Sequence, residues 1–197
     1  MDRRTFLFGS LGVATLATSG CVTNKATTTD TSAAATGPAA AKLDKVKAAW
    51  VYVGPINDGG WTQAHDVGRK YVVDKMGAKV VTTYKENVPE GAETAQVIED
   101  LVKDGNNIIF ATSFGFGEAM LASAKKHADV KFLHATGAWH STQANFGTYY
   151  GATEEAKYLA GIAAAKATKT GKIGFVAPFL IPEVTRHINA FTLGVRS

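Results

Sequence analysis

The stretch VKAAWVYVGPINDGGWTQAHD, residues 46–66, decides the fold. Its first nine residues are almost all apolar, which is typical of a strand that is buried on both faces. Turn-forming Pro, Asn, Asp and Gly residues then interrupt the run at 55–60, and such a cluster ends a strand. Trp61 follows at the start of a segment with helical periodicity. The stretch therefore predicts a β-α unit, and it places a large apolar side chain beside an exposed turn.

The same alternation of apolar runs and amphipathic segments continues to the end of the chain. It predicts strands at 46–54, 78–84, 107–113, 130–136, 145–151 and 172–179. It predicts helices at 61–76, 92–104, 117–127, 153–169 and from Pro182 onward. Repeated β-α units with apolar strands indicate an α/β fold with a doubly wound parallel sheet and right-handed crossovers.

Three of these helices have a face that the periodicity defines, and another has a predicted cap. Thr153 is expected to cap the helix that it begins. The shared faces comprise Ala64, Gly68, Tyr71 and Val72 on the first helix, Val97, Ile98, Leu101 and Val102 on the second, and Val184, Ile188, Phe191 and Val195 on the last.

The first 21 residues, MDRRTFLFGSLGVATLATSGC, have the pattern of an export signal. A short basic region precedes an apolar stretch, and small residues precede Cys21, the single cysteine of the chain. Two adjacent arginines resemble a twin-arginine signal. ATSGC resembles a lipobox, which predicts lipid modification of Cys21; the alternative is a plain signal peptide. Residues 22–44 are mostly small and polar, and we expect a disordered tether.

Composition separates several classes of protein. Hydrophobic residues make up 46% of the chain, which is enough for a core. The net charge is only +4, from 21 basic and 17 acidic residues, without a long basic cluster. This balance does not favour nucleic-acid binding.

Domain boundaries follow from the strand count. Five strands within 45–150 can form one complete ligand-binding lobe. Residues 151–197 offer one further strand and two helices, too few to close a second core. We therefore expect a two-lobed architecture in which the second lobe is truncated.

Candidate ligand-binding residues lie in the loops that follow the strands, because open α/β sheets bind ligands at the carboxyl ends of their strands. Four of these loops combine aromatic residues with small or polar ones. A flat ligand stacked on Trp61 would explain its position, since stacking of a base contributes about 1–3 kcal/mol. The candidates are Asn57, Asp58, Trp61, Ser113, Phe114, Gly115, Glu118, Gly137 and Phe179.

Four of these candidates also have a purely structural interpretation. Trp61 could instead pack its helix onto the core. Asn57 and Asp58 could cap the same helix, and Glu118 could complement a helix dipole.

Several segments resemble the basic membrane protein family. The resemblance is carried by YVGPINDGGWTQAHDVGRKYV (52–72), NVPEGAE (87–93), IIFATSFGFGEAM (108–120), HATG (134–137) and YLAGIAAAKATKTGKIGFVAPFLIPEVTRHINAFTLGVR (158–196). These proteins are lipoprotein substrate-binding components of ABC importers, similar to bacterial purine nucleoside receptors. The resemblance implies a type I periplasmic binding protein fold, no catalysis and no cofactor.

The resemblance also implies roles and partners. Asn57 and Asp58 match the family's turn, and Trp61 matches the aromatic residue that stacks on the base. Glu118 stands where nucleoside-binding members usually have an Asp that contacts the ribose. Because Glu is one methylene longer, the resemblance is compatible with a bare base as well as with a nucleoside. The implied ligand is a purine base or nucleoside. The implied partners are the importer's membrane subunits, with the protein lipid-anchored in the periplasm.

Other functions fit less well. A signalling lipoprotein would have the same binding lobe. ATSFG (111–115) imitates a hydrolase elbow but lacks its first glycine. GFGEAM (115–120) lacks the third glycine of a dinucleotide site. The histidines are scattered, and His134 within a predicted strand is expected to be a core residue rather than a metal ligand.

Overall fold

The computed structural model describes residues 44–136 and 141–197. The predicted export signal, Cys21, almost all of the predicted tether, and Gly137 lie outside the described residues. Among the helices that are described, none has both the length and the hydrophobicity needed to cross a membrane.

Within the described ranges, five parallel strands form one sheet, and five α-helices accompany it. The strands are β1 (Val46–Val51), β2 (Val80–Lys85), β3 (Ile108–Ala111), β4 (Lys131–Ala135) and β5 (Phe146–Tyr149). The helices are α1 (Trp61–Met76), α2 (Ala92–Lys103), α3 (Gly117–Lys126), α4 (Thr153–Ala167) and α5 (Pro182–Arg196). Short 3-10 turns at Gly77–Lys79 and Phe114–Phe116 precede β2 and α3.

The strand order is β2-β1-β3-β4-β5, with β1 paired to both β2 and β3. The chain therefore builds outward from β1 first in one direction and then in the other. The reversal opens a crevice between the carboxyl ends of β1 and β3, which is where open parallel sheets bind ligands. The predicted α/β class and parallel sheet are confirmed.

Apolar side chains cover both faces of the sheet. On one face, Ile98 and Leu101 of α2 are buried against strand residues such as Ile109 and Phe132, as the periodicity of α2 predicts. On the other face, Trp50 of β1 stacks on Phe110 of β3, with ring centroids 4.6 Å apart. Burial on both faces explains why the strands read as continuous apolar runs.

The predicted face of α1 is wrong. Tyr71 is 60% exposed, whereas Asp66 is buried. The Asp66 carboxylate accepts a hydrogen bond from Arg69 Nε at 2.7 Å and forms an ion pair with Lys70 Nζ at 2.9 Å. A charged side chain can be buried when partners surround it, and a search for apolar periodicity does not find such a face.

The predicted strand at 172–179 is also wrong. These residues form no regular strand, and Val176 is 98% exposed. A strand requires a neighbouring backbone to accept and donate its hydrogen bonds. None of the five described strands pairs with this segment, so the apolar run alone does not produce a strand. The remaining elements agree with the predicted ones, with ends that differ by a few residues.

The helices α4 and α5 pack with their backbones in direct proximity. A Cβ atom on Gly161 would overlap the carbonyl oxygen of Phe191, and one on Gly194 would overlap the carbonyl oxygen of Tyr158. Two glycines on facing helices thus allow an approach that no larger residue permits.

Replacing Gly194 by Ala should destabilise the protein by about 2 kcal/mol, because overpacking a close contact forces the helix backbones apart. Thermal or urea unfolding followed by circular dichroism measures the loss. Gly68→Ala is the matched control: it lies within α1 with open space around it, and Ala is the better helix former. Equal stability of Gly194→Ala and the parent chain would contradict the close packing.

Candidate functional site

A cavity of about 460 Å³ lies at the carboxyl ends of the strands. Val53 and Ser113, which follow β1 and β3, line one side, and Ala135 of β4 lies beside them. The segment 175–181 and the first turns of α4 and α5 line the other side. The cavity therefore occupies the crevice that the strand order creates.

Trp61 anchors its helix to the sheet and also lines the cavity. Its indole Nε1 donates a hydrogen bond of 2.5 Å to the carbonyl oxygen of Thr112, directly after β3, which holds the start of α1 against the sheet. The residue is nevertheless 39% exposed and lines the cavity. Tyr150 lies nearby, with its ring centroid 6.2 Å from that of Trp61. The hydrogen bond fixes a partly exposed aromatic surface inside the cavity.

Further aromatic residues extend this surface. Phe114 follows β3 and Phe179 precedes α5, and their ring centroids are 6.0 Å apart. Both line the cavity, together with Phe175. An apolar, aromatic lining of this kind suits a flat ring system.

Ser113 and Gly115 bind the carboxylate of Glu90. The Ser113 hydroxyl and the Gly115 N–H, the latter at 3.0 Å, both donate to the same oxygen, Oε1. A side chain on Gly115 would overlap the Glu90 carboxylate. Ser113 and Glu90 both line the cavity. The missing Cβ at position 115 leaves the space that the Glu90 carboxylate occupies.

The opposite wall is polar and belongs to α4 and α5. Glu183 accepts a hydrogen bond of 2.9 Å from the Thr136 hydroxyl. A 2.6 Å hydrogen bond joins Thr153 Oγ1 to His187 Nε2, so Thr153 contacts α5 rather than capping its own helix. Tyr150 stacks on the His187 ring at 5.9 Å.

Charge in the cavity is modest and mixed. Two carboxylates, Glu90 and Glu183, face one ammonium group, Lys157. Burial, together with the positive charge of Lys157, lowers the pKa of His187, which favours the neutral imidazole. The site can therefore offer donors and acceptors to a ligand with little net attraction for ions.

His134 of β4 contacts the backbone of the cavity-lining residue Ser113. Its side chain is buried, and Nε2 lies 2.6 Å from the carbonyl oxygen of Ser113. Burial lowers its pKa. This agrees with the interpretation of His134 as a core residue. Within 44–136 and 141–197, His, Cys, Asp and Glu side chains form no group of three that could hold a metal ion.

Four of the predicted site residues that the structure describes, Asn57, Asp58, Gly115 and Glu118, lie outside the cavity lining. Asn57 is exposed in the turn after β1, and Glu118 is exposed in the first turn of α3. Asp58 caps α1: its carboxylate accepts hydrogen bonds from the backbone N–H groups of Gly60, Thr62 and Gln63 at 2.8–3.0 Å.

The structure adds residues that the sequence did not single out as ligand-binding. Glu90 belongs to the quoted NVPEGAE segment, which offered a signal, but it follows the edge strand and was not selected. Tyr150 directly follows β5. The others lie on helices expected to start a second lobe, and only the folded chain brings them to the cavity; they are Thr153, Lys157, Glu183 and His187.

Asp58→Ala should lower the melting temperature at neutral pH, because the helix loses its cap. Hydrogen bonds from the backbone of Gln63, Gly60 and Thr62 lower the pKa of Asp58 from 3.8 to about 2. A lowered pKa stabilises the fold above the unfolded-state value, and that stabilisation disappears as the pH falls through the folded-state value. The difference between parent and variant should therefore shrink between pH 4 and pH 2.

Asn57→Ala is the control for this measurement, since Asn57 is exposed in the same turn. It should show no such pH-dependent difference. Melting curves of the three proteins at half-unit pH steps provide the test, and a constant difference for Asp58→Ala would refute the capping role.

The chain is similar to known proteins in both sequence and fold. Residues 45–197 match the Bmp family, described as PnrA-like ABC transporter substrate-binding proteins. A purine-binding protein of Brucella abortus is 43% identical over 161 residues, covering 82% of this chain and 45% of that protein. A Haloferax volcanii protein, provisionally named an ABC transporter glucose-binding protein, is 41% identical over 180 residues, covering 91% of this chain and 44% of that protein.

The chain thus spans less than half the length of these two relatives. Among solved structures, an ABC transporter solute-binding protein from Aeropyrum pernix superposes with a TM-score of 0.62 at 21% identity. The match covers 77% of this chain and 43% of the other. At that identity the likeness establishes the fold alone.

Proposed function

Because the chain belongs to the PnrA-like family of ABC transporter substrate-binding proteins, we propose that it serves an ABC importer and binds a purine base or nucleoside. The observation that carries the ligand proposal is the position of Trp61, held by Thr112 and partly exposed within the cavity. A purine presents two flat faces and several nitrogen donors and acceptors, which require an aromatic surface beside polar groups.

The relatives' names point to two ligand classes, a purine and glucose. The cavity of this chain favours the purine. Its lining joins Trp61 to Tyr150, Phe114 and Phe179, and apolar side chains outnumber polar ones there. A sugar, which has hydroxyls around its whole ring, would leave several of them without partners against these aromatic residues, and an unpaired buried polar group is costly.

Polar recognition in this proposal comes from the α4–α5 wall. Thr153, Lys157 and His187 line the cavity opposite Ser113. The neutral His187 imidazole can donate or accept a hydrogen bond with a purine nitrogen. Asn57, Asp58 and Glu118 have no direct contact with the ligand in this arrangement, and Asp58 acts by fixing the helix that carries Trp61.

The mechanism involves binding and release, with no bond broken. In the proposed two-lobed protein, a ligand that contacts both lobes favours their closed arrangement by no more than its difference in affinity for the two states. The importer's membrane subunits are the proposed partners. We also propose that the protein works outside the cytoplasm, anchored by a lipid on Cys21, because one acyl-modified terminus holds a protein at the membrane surface without spanning it.

Trp61→Ala should weaken purine binding by about tenfold or more, since stacking of a base contributes about 1–3 kcal/mol. Isothermal titration with adenine, guanosine and inosine measures the effect, with glucose as the competing ligand class. Tyr71→Ala is the matched control, because it removes another exposed aromatic residue of α1 that does not line the cavity.

The titration can contradict the proposal in two ways. Binding of glucose and of no purine would overturn the ligand class. Unchanged purine affinity in Trp61→Ala would overturn the stacking role and leave the family membership as it stands.

A further inference from the structure

We propose that Glu90 determines the specificity of the cavity by excluding anionic forms of the ligand, in particular phosphorylated nucleosides. The inference rests on the proposed function, since it concerns the same cavity. It assigns a role to a side chain that the sequence pattern did not single out and that belongs neither to the aromatic surface nor to the α4–α5 wall.

The first step in the argument is what Glu90 occupies. The Ser113 hydroxyl and the Gly115 N–H converge on one carboxylate oxygen, at the start of the turn that leads into α3. Convergent backbone and hydroxyl donors at the carboxyl end of a parallel strand, next to a helix start, are the groups with which such sheets bind phosphate. Here the chain's own carboxylate takes that place.

The second step is how Glu90 reaches these donors. It precedes α2 and comes from the loop after β2, whereas its partners follow β3. Its carboxylate lies where a Cβ of residue 115 would be. Gly115 therefore has a specific function in this arrangement: it leaves the space in which the carboxylate contacts the loop.

The third step is charge. Glu90 and Glu183 outnumber Lys157 among the charged groups that line the cavity, and His187 tends to be neutral. A phosphate entering the cavity would meet the Glu90 carboxylate at the donors it needs, and two negative charges at short range repel strongly. An uncharged base or nucleoside meets no such penalty, so Glu90 separates the two classes.

The test compares inosine with inosine 5′-monophosphate by isothermal titration. The parent chain should bind inosine more tightly than its monophosphate. In Glu90→Gln, which removes the charge and keeps the side-chain size, the ratio of the two dissociation constants should fall by about tenfold. Glu93→Gln, an exposed carboxylate three residues away and outside the cavity lining, removes the same charge and should leave the ratio unchanged.

A second measurement does not depend on nucleoside binding. Inorganic phosphate should raise the melting temperature of Glu90→Ala by about 2 °C or more at millimolar concentration, because it binds the vacated donors in the folded state. The parent chain and Glu93→Ala should not respond. Preserved circular dichroism of Glu90→Gln and Glu90→Ala verifies that both variants fold.

Failure of the two proposals can be told apart. If no purine binds the parent chain, the proposed function fails, and the phosphate measurement alone decides the role of Glu90. If inosine binds but the ratio in Glu90→Gln equals that of the parent chain, the specificity role is overturned. A melting temperature of Glu90→Ala that does not respond to phosphate overturns it as well.

Discussion

The hydrogen bond from Trp61 to the Thr112 carbonyl oxygen is the interaction on which the cavity depends. It connects the first residue of α1 with the end of β3, across the crevice where the strand order reverses. Without it, the helix start would be held only by its cap and by contacts further along α1. With it, the Trp61 ring is held beside the ends of β1 and β3. The lining residues after β3 then keep their positions relative to α1.

The loop after β3 is held from three directions. Trp61 binds Thr112, His134 of β4 lies against the Ser113 carbonyl, and Glu90 binds the Ser113 hydroxyl and the Gly115 N–H. Loops usually carry function because a rigid scaffold positions them. Here the scaffold extends into the loop itself, through hydrogen bonds to the backbone of Thr112, Ser113 and Gly115. Such a loop presents Phe114 to the cavity with little freedom to rearrange.

Most of the sheet could be predicted from the sequence because its strands are buried on both faces and are almost wholly apolar. The same criterion failed at 172–179, where an apolar run has no neighbouring strand among the described residues. It also failed on α1, whose buried face carries Asp66 with Arg69 and Lys70 as partners. Strand formation and burial of charge both depend on tertiary partners, which a local pattern does not contain.

The candidate site was predictable to the extent that it follows the strand ends. Trp61, Ser113 and Phe114 line the cavity because the loops that carry them leave the same edge of the sheet, whereas Phe179 lines it from the irregular segment before α5. Asp58 lies at the same edge, but its carboxylate is used by the backbone of α1. The α4–α5 residues could not be identified from sequence, since their position depends on tertiary contacts such as the hydrogen bond between Thr136 and Glu183, which are 47 residues apart along the chain.

The glycine contact between α4 and α5 has a mechanical consequence for the polar wall. With Gly161 and Gly194 bringing main chain against main chain, no side chain of either glycine position separates the two helices at this crossing. Thr153 and Lys157 on one helix and Glu183 and His187 on the other are therefore expected to move together, as parts of one rigid unit. A ligand that displaces any one of these four residues would displace both helices together.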